Sequence, residues 1–217
     1  MSTALSGKGA RRLFIEFFVI AIGVFIALAA ESWWSEREDR LRESDIREDM
    51  LAEFAANIRI LEADIEVNEN RARQFARLPA MTQEELMGLP DAYFEENYRL
   101  FPNWAGFDPE MGIVQALVNS GNLGNISDRE LRLRLSRWAG LLKEKDRKTL
   151  QATQFQINSL MPVIAEVSAD ARWSVAERRR TQVLYQTLSL LQGMVLDNQV
   201  LLHEEARAIH AYLTGSS

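Results

Sequence analysis

Residues 13–34 read LFIEFFVIAIGVFIALAAESWW, an almost uninterrupted apolar run that ends on two tryptophans. Its first eighteen residues, Leu13 to Ala30, hold one charge, Glu16. As a helix, the 22 residues from Leu13 to Trp34 reach roughly 33 Å at about 1.5 Å each, enough for a hydrocarbon core of about 30 Å. Arg11 and Arg12 before it, and Trp33 and Trp34 at its exit, are the residue types that sit at membrane interfaces. A cleaved signal peptide is the rival reading, because the basic start and the small run Ala27-Leu28-Ala29-Ala30 imitate a cleavage site. The apolar region exceeds the usual length of about 7 to 15 residues, Glu16 interrupts it, and helix-forming sequence continues past the cut. An uncleaved anchor is therefore expected.

Basic residues flank both sides, since Arg37, Arg40, Arg42 and Arg47 follow the span. The first twelve residues carry no acid, which predicts a cytoplasmic N-terminus (1–12), a transmembrane helix (13–34) and an extracytoplasmic remainder (35–217). Within the span Glu16, Ile20, Gly23, Ala27, Ala30 and Trp34 fall on one helical face. Gly23 and Ala27 admit the close approach of another helix, and an intramembrane carboxylate normally faces protein or water. The face reads either as a protein-docking stripe or as a Glu16 that snorkels to the surface beside Arg12.

After Trp34 neither proline nor glycine occurs until Pro79, and Leu51, Phe54, Ile58, Leu61, Ile65, Asn68, Ala72 and Phe75 alternate by 3 and 4. The membrane helix is thus expected to run on, unbroken, as a coiled-coil-like helix. Residues 79–127 differ in texture, with Pro79, Pro90, Pro102 and Pro109 among Tyr93, Phe94, Tyr98, Phe101, Trp104 and Phe107. Short helices and loops are predicted: Thr82 with Glu85 forms a capping box, Asp108 before Pro109 starts a helix, and Gly121 ends it. Ser127 with Glu130 opens a second long helix with Leu131, Leu135, Trp138, Leu142, Ile157, Leu160 and Ile164 in its seam, kinked near Pro162. Ser174 with Glu177 opens the last, whose seam holds Leu184, Leu188, Leu191, Val195, Asn198, Leu202, Ile209 and Tyr212.

Three amphipathic helices of similar length predict an all-α fold, an antiparallel bundle with 79–127 as its distal cap. That topology returns the second long helix to the bilayer. It makes Trp173 an interface anchor and brings Arg172, Arg178, Arg179 and Arg180 level with Glu36, Glu38, Asp39, Glu43 and Asp45. The arginines then pair with those acids or meet lipid headgroups or a partner. The ring-rich cap, with Tyr93, Tyr98 and Trp104, reads either as a recognition surface or as a small satellite core.

Chemistry is harder to find. The 217 residues are 26% charged and 47% hydrophobic, which excludes a disordered chain, and the absence of cysteine excludes disulfides and thiolate chemistry. A net charge of -6 argues against nucleic acid as a partner. His203 and His210 stand seven apart with Arg207 between, so neither a zinc-protease nor a ferritin-type spacing is met. Gly121 and Gly124 lack the lysine and the strand of a phosphate loop, and no serine has a nucleophile-elbow context. No enzyme, cofactor or metal is expected.

Two stretches, Leu13 to Glu31 with Trp33-Trp34, and Ala116-Leu117-Val118-Asn119-Ser120-Gly121-Asn122-Leu123 followed by Glu130-Leu131-Arg132, resemble a family of single-span bacterial membrane proteins catalogued as a domain of unknown function. The family's usual exit has asparagine on both sides of one tryptophan, where this chain has Ser32-Trp33-Trp34. The resemblance implies an uncleaved anchor in a bacterial inner membrane and supplies no activity. The expected function is a non-enzymatic accessory or scaffolding subunit docking onto a larger complex of respiratory, transport or photosynthetic type. The alternatives are an extracytoplasmic sensor working through a separate transducer, and a homo-oligomeric coiled-coil spacer. The expected partners are the lipid bilayer and either other membrane subunits or the chain itself.

Overall fold

The computed structural model describes the backbone of residues 7–94, 107–110, 112–170 and 172–215. Every regular element among them is helical, and two units divide at Glu48 and Asp49. Helix α1 (Gly7–Phe75) is the long unbroken helix expected from the missing prolines and glycines. In the first unit its charged turns are tied along their own helix. Glu38 accepts from Arg42 at 2.6 Å and Glu36 lies 4.0 Å from Arg40, exposed pairs worth about 0.3–0.5 kcal/mol each.

The second unit is a bundle of three long helices: the later part of α1, then α5 (Arg129–Phe155) and α7 (Val175–Thr214). Between them lie α2 (Arg77–Ala80), α3 (Gln83–Gly88), α4 (Ile113–Asn119) and, after a π-helical turn at Gln156–Leu160, α6 (Met161–Asp170). Helix α7 is antiparallel to α1: Phe75 meets Tyr185, Asn68 donates to Gln199 at 2.8 Å, and Glu62 lies 3.2 Å from His203. It is antiparallel to α5 as well, with Glu205 on Arg137 at 3.1 Å and Tyr212 on Asp128 at 2.8 Å. Consequently α5 runs parallel to α1, with Phe54 against Trp138 near one end and Phe75 clustered with Leu160 at the other.

This corrects the expected topology. The insert is not one distal cap. Its first part, through α3 to Phe94, packs at the Phe75 end with Leu160, Trp173, Tyr185 and Leu188. Its second part lies toward the Met50 end, where Phe107 meets Trp138 and Asn57 holds Glu110. The second long helix therefore travels away from Met50, and the turn before Ser174 belongs to the Phe75 end of the bundle.

The capping boxes at Thr82–Glu85 and Ser174–Glu177 form, and Gly121 follows α4 at φ +71°, a conformation that favours glycine. Three local expectations change. Asp128, not Ser127, caps α5, accepting from the N–H groups of Glu130 and Leu131, because its carboxylate is the stronger acceptor. Residues 108–110 are not helical, since Asn57 occupies both the N–H and the carbonyl of Glu110, and the helix begins at Ile113. Pro162 has no N–H for the Asn158 carbonyl, and the helix widens to the π turn just before it. The wider turn shifts the phase of the seam, so Gln156 and Leu160 are buried while Ile157 is 58% exposed.

Candidate functional site: an uncovered apolar helix face

One helix near the N-terminus, among the described residues, is long and apolar enough to cross a membrane, and none of its most apolar window is buried. Phe17, Phe18, Ile20, Phe25 and Ile26 are each more than 60% exposed. Glu16, Ile20, Gly23, Ala27, Ala30 and Trp34 are all exposed. At Gly23 an added Cβ would meet nothing within 4 Å, so nothing among the described residues requires its small size. Glycine there costs an isolated helix roughly 1 kcal/mol relative to alanine. At the exit Trp33 and Trp34 meet edge to face at 6.3 Å, and Arg37 lies 5.9 Å above the Trp33 ring. Arg11 and Arg12 are helical, with side chains outside the described set.

The interface residues expected further along are placed otherwise. Trp173 is 7% exposed and stacks on Phe94 at 4.6 Å, so it is core rather than an anchor. Arg178 is buried too, donating to the carbonyls of Trp173, Leu86 and Leu89 at 3.1, 3.1 and 2.6 Å and to Asp91 at 2.6 Å. Its guanidinium also covers the Phe94 ring. Four hydrogen bonds from its fixed fork are taken up by the Trp173 carbonyl, the carbonyls around the end of α3 and Asp91, so within the bundle it is a buried tie rather than one of a solvated arginine run. Arg179 and Arg180 are exposed on the first turns of α7, at the Phe75 end of the bundle. Tyr93 is half-buried, 5.7 Å from Phe94 and part of the satellite core, whereas Tyr98 and Trp104 lie outside the described residues.

Several buried polar groups escaped the sequence reading. Glu53 accepts from the Ile113 N–H at 2.8 Å, where the N-cap Gly112 offers no side chain, so α1 caps α4 from across the bundle. Burial pushes the Glu53 carboxyl above its ordinary range, with hydrogen bonds from the backbone of residues 112–114 acting the other way. Burial also raises Asp64, and it raises the Tyr185 hydroxyl strongly. A void between Asn68, Arg71, Gln192 and Val195 holds about 10 Å³, room for one water. No group of three or more His, Asp or Glu side chains among the described residues could hold a metal ion.

No protein family, curated protein or solved structure matches this chain.

Proposed function

We propose that this chain is a non-enzymatic, single-span accessory or scaffolding subunit of a bacterial inner membrane, with residues 1–12 cytoplasmic and the bundle periplasmic. It docks onto a larger respiratory, transport or photosynthetic assembly through the Glu16, Ile20, Gly23, Ala27 and Ala30 face. The kinship with the single-span bacterial family belongs to the same proposal.

The observation that carries it is the uncovered Gly23. A glycine that costs helix stability, with no described neighbour within 4 Å of where its Cβ would stand, is accounted for by a neighbouring helix that comes close. The carboxylate of Glu16 on the same face favours a protein neighbour over lipid.

The test is affinity purification of the tagged protein from its native membrane in mild detergent, beside the variant carrying Gly23→Leu and Ala27→Leu. Stoichiometric companions with the natural sequence, lost with the double variant, are expected. Companions that persist through the double substitution refute the use of this face. Recovery of the natural chain alone favours the sensor or spacer reading.

A further inference from the structure

The side of α1 turned away from Gly23 and Ala27 is built differently. Ala21 and Ala29 leave a shallow groove among Phe18, Ile22, Phe25 and Ile26, and none of the six is buried. Along the helix Ile22, Ile26, Ala29 and Trp33 follow at spacings of 4, 3 and 4, so the groove leads to the Trp33 ring. Arg37 stands four residues further. Side chains of a helix slant toward its N-terminus, and the Arg37 guanidinium accordingly lies back over that ring at 5.9 Å.

Arg37 differs from the two arginines that follow it. Arg42 donates to Glu38 at 2.6 Å, and Arg40 donates to the Glu36 carbonyl at 3.1 Å with the carboxylate of the same residue 4.0 Å away. The positions three and four residues from Arg37 hold Trp33, Trp34, Arg40 and Leu41, so its own helix offers it no acid at the spacing that pairs charges. A guanidinium over an indole, at the end of an apolar groove, matches a phosphodiester joined to a hydrocarbon chain. The length agrees as well. From Ile22 to Trp33 the helix rises about 16 Å, half of a hydrocarbon core of about 30 Å and so the depth of one leaflet.

Charge narrows the headgroup. Residues 31–49 hold eight acids against four arginines, which disfavours a headgroup with a net negative charge. A zwitterion instead gives its phosphate to Arg37 and turns an ammonium toward the acids, of which Glu36 is adjacent, 70% exposed and only loosely held by Arg40. We propose that this side of the helix binds one zwitterionic aminophospholipid, with its phosphate on Arg37, its ammonium beside Glu36 and an acyl chain along the groove. The site rests on the single-span reading above but shares no residue with the Gly23 docking face, so the two surfaces can be tested apart.

The experiment uses the full chain, first in its native membranes. Washing at alkaline pH should leave it there, and release into the wash overturns the single-span reading itself. The chain that stays is taken into mild detergent with equal amounts of phosphatidylethanolamine and phosphatidylglycerol, and bound lipid is counted by native mass spectrometry. One phosphatidylethanolamine per chain should be retained. Arg37→Gln should weaken retention about tenfold, the loss expected of a charge-assisted contact, and Arg37→Lys should weaken it less. Ala21→Leu with Ala29→Leu fills the groove and should weaken retention severalfold, whereas Gly23→Leu with Ala27→Leu should leave it unchanged. None of these side chains is buried, so the melting temperature of the bundle should be the same in every variant. No retained lipid, equal retention by the natural chain and Arg37→Gln, preference for phosphatidylglycerol, or loss with the Gly23 and Ala27 pair overturns the lipid site while the span stands.

Discussion

Replacing Arg178 with alanine removes the side chain that ties the start of α7 to residues 86–91 around the end of α3, while Gln182 still donates to the carbonyls of Leu78 and Met81. Four hydrogen bonds go with it: those to the carbonyls of Leu86, Leu89 and Trp173 and the ion pair to Asp91. The Arg178 side chain is 11% exposed and Asp91 35%, so water reaches the carboxylate more readily than the carbonyls. Breaking a buried charged pair typically costs about 3–5 kcal/mol, and the partial exposure of Asp91 places this one near 3. The effect should be local. Amide hydrogen exchange of residues 77–94 in the full chain should accelerate roughly 100-fold, the factor for about 3 kcal/mol, while residues 112–120 keep their protection. Arg178→Lys keeps the charge but not the fork, and should recover a minor part of the loss. Arg178→Ala with unchanged exchange over 77–94, or with equal acceleration over 112–120, would refute the assignment of Arg178 as the local tie.

Three further outcomes follow from the packing. Because burial raises the folded-state carboxyl of Glu53 above its ordinary 4.5, its share of stability is full below that pH and falls as pH rises through the folded value. Glu53→Gln removes this dependence, so the stability of the natural chain relative to the variant should decline from pH 4.5 upward in denaturant titrations; a rise would contradict the buried assignment. Asn68→Ala leaves the buried Gln199 Oε1 without its Asn68 donor and should cost about 1–3 kcal/mol, read as a lower denaturation midpoint and approximately reversed when Gln199 is also made leucine. Leu160→Ala should cost about 2–5 kcal/mol, whereas Pro162→Ala should change stability by less than about 1, because closing the π turn would withdraw the buried Leu160 and Val163 from the core; the reverse order would show that the proline alone holds the turn.

What the sequence makes legible is whatever periodicity or local chemistry encodes. The seam residues Phe54, Leu61, Asn68 and Phe75 are buried where the spacing puts them, and the capping boxes expected at Thr82 and Ser174 close, while Asp128 takes the place expected of Ser127. No residue of the apolar stretch from Phe17 to Ala30 is buried. The direction of α5 is not legible, because an amphipathic stripe packs equally well in either sense, and only contacts such as Phe54 with Trp138 distinguish the two. Arg178 is missed for a related reason: next to Arg179 and Arg180 it reads as one of a solvated run, and its buried role depends on carbonyls about ninety residues away. Ile157 continues the seam by counting, but the π turn adds a residue to the phase; the consecutive fours Ala152, Gln156 and Leu160 are the trace it leaves.

Apolar seams alone leave the register of such a bundle under-determined, since sliding one helix by a heptad, about 10 Å, returns leucine to leucine. The buried polar pairs remove that freedom. Asn68 and Gln199 fix α1 against α7, Glu205 with Arg134 and Arg137 fixes α7 against α5, and Asn57 with Glu110 fixes the returning insert against α1. Each is satisfied in one register, and a slip leaves buried amides or carboxylates without partners at about 1–3 kcal/mol apiece. The same pairs explain how α1 and α5 can run parallel: the crossover is pinned at one end by Arg178 on residues 86–91 and toward the other by Glu53 and Asn57 on residues 110–113. A bundle specified this way does not rely on the exposed face through Gly23. Substitutions on that face should therefore alter association and leave folding intact, which is the property that makes it testable as a docking surface.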